Sequence, residues 1–110
     1  MTERLSPRSF HDAEGVDDWR VLYGRAFAYC RTGSFSAGVA LVQASGDLAN
    51  AANHHPDVTL TYPGVTVCLS THDVGGLSVR DVELARQISS AAGRLGASAD
   101  PTAVQQVNLT

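Results

Sequence analysis

The chain has 110 residues, of which 44% are hydrophobic and 17% are charged, and its formal net charge is −3 at pH 7. These values predict one globular domain and argue against intrinsic disorder. The basic residues form no stripe and no apolar run approaches the ~20 residues that cross a bilayer, so direct nucleic-acid binding and a membrane span are not expected. The first residues lack the apolar stretch of a signal peptide, which predicts a cytoplasmic protein.

The two cysteines, Cys30 and Cys68, do not have the spacing of a metal-binding motif. Both lie in alternating apolar segments, where a free cysteine behaves as a small buried hydrophobic residue. A disulfide between them is the alternative, which a reducing compartment disfavours.

The N-terminal third of the chain predicts a short helix and a pair of strands. Ser6-Pro7 is typical of a helix start, and the helix is expected to reach about Ala13. Aromatic and β-branched residues then alternate over residues 19–31, with Gly24 interrupting them. This pattern favours a hairpin or one long bent strand.

A second helix is expected to extend to about Ala52, with Ser34 or Ser36 as its N-cap. Gly38 and Gly46 lie inside it, and each destabilises a helix by roughly 1 kcal/mol relative to alanine. Close packing at these two positions is one explanation, and a tolerated weakness is the other.

A strand, a turn and a second strand follow this helix. Apolar and polar residues alternate on both sides of Pro63-Gly64, which we interpret as a two-residue turn. The resulting register sets Val58 opposite Leu69, so that the apolar side chains share one face. If the pairing continues, it also sets His55 opposite His72.

A third helix is predicted behind the Gly75-Gly76 break, because Ser78 and Asp81 have the spacing of a capping box. The predicted fold class is therefore α+β: a two-layer domain in which a four-stranded antiparallel sheet carries helices on one face, in the order α-β-β-α-β-β-α. We assign residues 1–96 to this domain. Residues 97–110 are expected to be a C-terminal tail or linker, or a strand that pairs with another subunit.

Three of the four histidines, His54, His55 and His72, flank the predicted hairpin. Surface histidines without a chemical role are the simplest interpretation. A metal site is the second, although adjacent histidines rarely reach one ion and only Asp57 or Asp73 could add a carboxylate. General acid–base catalysis is the third, because an unperturbed imidazole titrates near ~6.5 and can donate or accept a proton at neutral pH.

The residues around these histidines resemble those of a known family. His54-His55-Pro56 is followed by Tyr62 after five residues, by His72 after nine more and by Asp81 after eight more. Together with the segment Leu69–Ser78, this pattern is similar to the signature of the pterin-4a-carbinolamine dehydratases.

The resemblance covers about residues 15–96 and implies a helix-covered antiparallel sheet that assembles as a homodimer or homotetramer. It implies a hydro-lyase that dehydrates 4a-hydroxytetrahydropterin to quinonoid dihydropterin. This reaction recycles the tetrahydrobiopterin cofactor of aromatic amino-acid hydroxylases and needs no metal or organic cofactor. The catalytic set that the resemblance implies is His54, His55 and His72. The substrate-binding residues that it implies are Asn53, Ser70, Thr71 and Asp73.

Two other positions of the signature are expected to be structural. Pro56 restricts the backbone after the histidine pair, and Asp81 caps the third helix. Many family members carry glutamate four residues before the first histidine, where this chain has Asn50, and an amide cannot act as a base. Some relatives of this family serve as assembly factors or coactivators, so a catalytically weak protein-binding module is the alternative function. His11 is expected to be a surface residue.

Overall fold

The computed structural model describes residues 3–104. Three helices, α1 (Pro7–Asp12), α2 (Phe35–Ala52) and α3 (Val79–Arg94), pack against an antiparallel sheet. The strands are β1 (Arg20–Leu22), β2 (Arg25–Arg31), β3 (Asp57–Leu60), β4 (Gly64–Leu69) and β5 (Ser98–Ala99), and a 3-10 turn spans His72–Val74. The order across the sheet is β1-β2-β4-β3, and the short β5 pairs with β2. The predicted α+β class with an antiparallel sheet is confirmed.

The core lies between the helices and one face of the sheet. The sheet contributes alternate residues to it, all buried: Ala26, Ala28, Cys30, Val65, Val67 and Leu69. Leu41 of α2 and Leu84 and Ile88 of α3 belong to the same cluster. Trp19 is fully buried and donates its indole N–H to Ser89 Oγ at 2.9 Å, which ties the segment before β1 to α3.

The second helix begins at Ser34, whose hydroxyl accepts the Ala37 N–H at 3.1 Å. Its two glycines have different environments. A Cβ at Gly38 would lie 2.6 Å from Leu60 Cδ1, whereas a Cβ at Gly46 would meet no atom of residues 3–104 within 4 Å. Close packing against the sheet therefore explains Gly38, and Gly46 is a tolerated weakness.

The β3–β4 hairpin is shifted by two residues from the predicted register. Val58 pairs with Val67 instead of Leu69. Thr61 and Gly64 exchange two backbone hydrogen bonds, at 2.9 and 3.3 Å, so the two turn residues are Tyr62-Pro63. The apolar residues keep their face because the shift is an even number of residues.

Gly64 is needed in the strand for a steric reason. A Cβ at this position would collide with the carbonyl oxygen of Cys30 and would lie 2.7 Å from the Tyr29 hydroxyl oxygen. The assignment of Gly64 to the turn was wrong, and so was the pairing of His55 with His72 that depended on it.

The first part of the predicted tail packs on the same chain. Ser98–Ala99 pairs with β2, and the Arg31 guanidinium lies 2.7 Å from Asp100 Oδ2. Val104 is only 1% exposed. The division of the chain at residue 96 stays a prediction, and residues 105–110 lie outside the described residues.

Cys30 and Cys68 are both free and buried. Cys30 pairs with Val65 and Cys68 pairs with Phe27 in the same two strands, so the two thiols lie on opposite faces of the sheet and cannot form a disulfide. Burial, together with the nearby charge of Asp18, raises the pKa of Cys30 to about 11. Burial also raises the pKa of Cys68.

No helix within residues 3–104 has both the length and the apolar character needed to span a membrane.

Candidate active site

The end of α2 directs His54 into the protein. Asn53 adopts the left-handed conformation that ends the helix, with φ 51°, and the His54 N–H then donates to the Ala49 carbonyl at 3.1 Å. The His54 side chain is 7% exposed, and its Nε2 lies 2.6 Å from Asp81 Oδ1. One ring nitrogen of this imidazole is therefore fixed by a carboxylate from α3.

Asp81 is fully buried and accepts hydrogen bonds at both oxygens. Its Oδ2 accepts the Thr71 hydroxyl at 2.6 Å and the Ser78 N–H at 2.9 Å, which confirms the predicted capping box. An ionised carboxylate can only accept hydrogen bonds, so His54 donates its Nε2–H to Asp81. The other ring nitrogen, Nδ1, is not engaged by this carboxylate. Asp81 therefore caps α3 and orients His54 at the same time.

Thr71 connects this buried network to the surface turn that carries the third histidine. Its hydroxyl proton points to Asp81, so the 2.7 Å contact with Ser78 Oγ has the serine as donor. Thr71 is itself buried and directly precedes the exposed His72.

His55 is exposed, and its Nε2 lies 3.1 Å from Asn50 Oδ1. Beyond the last ladder pairs of β3–β4 and β2–β4, the observed registers place His55 and Arg25 on either side of Ser70. Residues in such a row share a face, here the one that the helices leave uncovered. If the pairing continued in the observed register, Ser70 would face His55 on one side and Arg25 on the other.

His72 opens onto a polar depression of about 290 Å³ at the end of β4. The residues that line it are Tyr23, Gly24, Arg25, Ser70, Thr71, His72, Gly75 and Gly76. Tyr23 and Gly24 form the tight β1–β2 turn, in which both have positive φ, 53° and 73°. Ser70, Thr71 and His72 were predicted from the sequence as site residues, whereas Tyr23 and Arg25 were not. The antiparallel order was the available signal, because it brings the β1–β2 turn to the end of the sheet where β4 ends.

His54 lines a separate depression of about 310 Å³ beside α3, so the three imidazoles do not share one pocket. Arg80 lies at the same edge, with its guanidinium 3.2 Å from the Asn53 carbonyl oxygen and 3.9 Å from Asp73 Oδ2. The structure thus brings Asn53 and Asp73 together through Arg80. The buried hydrogen bonds link His54 through Asp81 to Thr71, the residue that directly precedes His72.

The other residues singled out from the sequence lie at the margin of this region. Pro56 is half-buried and directly precedes β3. His11 is exposed, and its Nε2 accepts the Val21 N–H at 3.3 Å. Within residues 3–104, no group of three or more His, Cys, Asp or Glu side chains is arranged to hold a metal ion.

Comparison with known proteins assigns the chain to a family. Residues 3–91 match the family model described as pterin 4 alpha carbinolamine dehydratase. The chain belongs to this family. A relative from Thermosynechococcus vestitus is 38% identical over 93 residues, covering 84% of this chain and 98% of the relative. A second, from Nocardia farcinica, is 39% identical over 92 residues, covering 83% and 97%. The names of both assign them provisionally as pterin-4-alpha-carbinolamine dehydratases.

A solved structure shows the same fold. The crystal structure of a transcriptional coactivator/pterin dehydratase from Brucella melitensis superposes with a TM-score of 0.76 and covers 82% of this chain and 99% of the other. The two sequences are 24% identical, so this similarity is evidence for the fold alone. The resemblance drawn from the sequence is confirmed at the level of family and fold.

Proposed function

We propose that this protein dehydrates 4a-hydroxytetrahydropterin to quinonoid dihydropterin and so helps to regenerate a tetrahydropterin cofactor. The observation that carries the proposal is the link between pocket and interior. His72 lines a polar pocket together with Thr71, and Thr71 binds the carboxylate that orients His54. Membership of the dehydratase family supports the choice of substrate.

The reaction needs two proton transfers and no oxidant or reductant. One proton is delivered to the 4a-hydroxyl oxygen, the carbon–oxygen bond breaks, and water leaves. The adjacent ring nitrogen loses its proton, and the electron pair of that N–H bond forms the new carbon–nitrogen double bond. Each positioned acid or base typically accelerates such a step by ~10²–10⁴.

The exposed histidines are the groups that we assign to direct contact with the substrate. His72 lines the pocket, and His55 lies in the same row as Ser70. The Thr71 proton is engaged by Asp81, whereas the Ser70 hydroxyl makes no hydrogen bond within residues 3–104 and is available to the substrate.

His54 and the polar edge around Arg80 complete the proposed site. His54 acts through Nδ1, since Asp81 fixes its Nε2–H. Asn53 and the Asp73 carboxylate, which Arg80 holds at one edge, are proposed to bind the amino-pyrimidine edge of the pterin.

Stopped-flow ultraviolet spectroscopy of 4a-hydroxytetrahydropterin breakdown tests the proposal, at a pH above 8 where the uncatalysed step is slow. We expect acceleration in proportion to protein concentration, a large loss in His72→Ala, and no turnover in the double variant of His54 and His72 to alanine. His11→Ala is the matched control, because it removes an exposed imidazole away from the pocket at His72.

Two outcomes would contradict the proposal. No acceleration by the unaltered protein would favour the protein-binding module. Turnover that survives the double substitution would show that other residues carry the protons.

A further inference from the structure

The pocket at His72 continues into a second depression of about 420 Å³. The two share Gly24, Gly75 and Gly76 as a common floor. We call the second depression the side groove, and its other lining residues are Arg4, Leu5, Ser6, Pro7, Val21 and Leu77. A ligand held at His72 could therefore extend a substituent over the three glycines into the side groove.

The side groove is held in place by the segment before α1. The Leu5 N–H donates to the Leu77 carbonyl at 2.7 Å in an antiparallel bridge. This contact sets the aliphatic part of Arg4 on Gly76, where a Cβ would lie 2.7 Å from Arg4 Cδ. The absence of a side chain at Gly76 is thus what lets Arg4 lie along the floor.

The charged side chains that line the two depressions carry positive charge. Arg4 lines the side groove and Arg25 lines the pocket at His72, and no carboxylate of residues 3–104 lines either one. Arg25 makes a long contact with Asp57, at 4.0 Å, in which both side chains are largely exposed, and a hydrogen bond with the Cys68 thiol. The Arg4 guanidinium forms no ion pair within residues 3–104. In a chain of net charge −3, these two arginines make the joined depressions a local region of positive charge.

We propose that the side groove binds an anionic substituent of the pterin substrate, a carboxylate or a phosphate. The inference rests on the proposed function, because it extends the same pocket. The ring lies at His72 and Ser70, and the substituent passes over Gly75 and Gly76 to the Arg4 guanidinium. A guanidinium matches the oxygen geometry of both anions and binds them with two parallel hydrogen bonds.

Calorimetric titration with stable oxidised pterins tests this inference. The ligands are neutral 6-hydroxymethylpterin, its monophosphate, and pteroylglutamate as the carboxylate. We expect at least one of the two anions to bind about tenfold more tightly than the neutral compound. This ratio of affinities should decrease as the salt concentration rises. The anion whose affinity exceeds that of the neutral compound by the larger factor identifies the chemical class of the substituent.

Two arginine variants form the matched pair. Arg4→Gln is expected to lower the ratio of anionic to neutral affinity by about tenfold, back to near one. Arg8→Gln removes the same charge from an exposed position of α1 outside both depressions and should leave the ratio unchanged.

The outcomes separate this inference from the proposed function. Equal affinities for neutral and anionic pterins, or an equal effect of the two variants, would overturn the anion site. If a neutral carbinolamine is still dehydrated in that case, the proposed function stands without it. If no pterin binds and none is dehydrated, the anion site and the proposed dehydratase function are both wrong.

Discussion

Replacing Asp81 by asparagine is expected to reverse the hydrogen bond to His54 while keeping the shape of the network. The amide oxygen can still accept from Thr71 and from the Ser78 N–H, as Oδ2 does now. The amide NH₂ then faces His54 Nε2 in place of a carboxylate oxygen. His54 can meet that donor only with a lone pair at Nε2, which moves its ring proton to Nδ1.

The size of the effect follows from the burial of the site. Asp81→Asn exchanges one charge-assisted hydrogen bond for a neutral one, which is expected to lower the free energy of unfolding by about 1–2 kcal/mol. For a domain of this size, each kcal/mol lowers Tm by roughly 4–8 °C. Asp81→Ala leaves three buried donors, on His54, Thr71 and Ser78, without an acceptor and should cost about 3–5 kcal/mol.

The effect on the reaction is expected to exceed the effect on stability. If His54 takes a proton at Nδ1, the reversed tautomer blocks that step, and kcat should fall by ~10²–10⁴. Urea titration and stopped-flow rates at 25 °C measure the two effects, and nitrogen chemical shifts of the imidazole report the tautomer. Because Asp81 acts through His54, the double variant with His54→Ala should be no slower than His54→Ala alone.

Two results would refute this reasoning. A folded Asp81→Asn protein with the reversed tautomer and an unchanged kcat would remove His54 from the proton transfers. Rate losses that multiply in the double variant would show that Asp81 acts independently of His54.

Three further predictions concern other parts of the chain. Asn50→Glu places a carboxylate beside His55 Nε2 and should raise kcat several-fold by stabilising the imidazolium; an unchanged pH–rate profile would contradict this. Because the pKa of Cys30 is raised from 9.0 to about 11, the contribution of Cys30 to the free energy of unfolding should be constant below pH ~9 and fall as the pH rises toward 11. In urea titrations at alkaline pH, the Cys30→Ala variant should lack this part of the decrease in the free energy of unfolding. Gly64→Ala should destabilise by about 1–3 kcal/mol through overlap with β2, whereas Gly46→Ala, in open space, should stabilise by about 0.4–1 kcal/mol; equal Tm values for the two variants would contradict the packing argument.

The sequence was sufficient where the deciding interactions are local. Ser78 and Asp81 are three residues apart, so the spacing itself predicts the capping box that the structure contains. The second role of Asp81 could not be found in this way, because His54 is 27 residues away and reaches it only after α2 and α3 have packed. The hydrogen-bond partner of a buried polar group depends on how distant elements pack. The local sequence around that group does not identify the partner.

The hairpin shows a second limit of local patterns. Pro63-Gly64 is typical of a turn, yet Gly64 is required in the strand because a side chain there would collide with the neighbouring strand β2. Alternation alone predicts which face each residue occupies, and this prediction is confirmed at Val58. Alternation does not distinguish registers that differ by two residues, because such a shift keeps each side chain on the same face of the sheet and changes only its cross-strand partner. The pairing of His55 with His72 was wrong for this reason.

The residues of the candidate site meet because of the sheet order. β2 and β3 begin, and β1 and β4 end, at the same edge, since each is antiparallel to its neighbour. The same edge receives the last turn of α2 and the first turn of α3, joined by the hydrogen bond between His54 and Asp81. A change that shifts the register of β4 by one residue would therefore turn Ser70 away from the face that it shares with Arg25, together with the buried apolar residues of the strand. Activity at this site is thus expected to depend on the β2–β4 register as strongly as on any one imidazole.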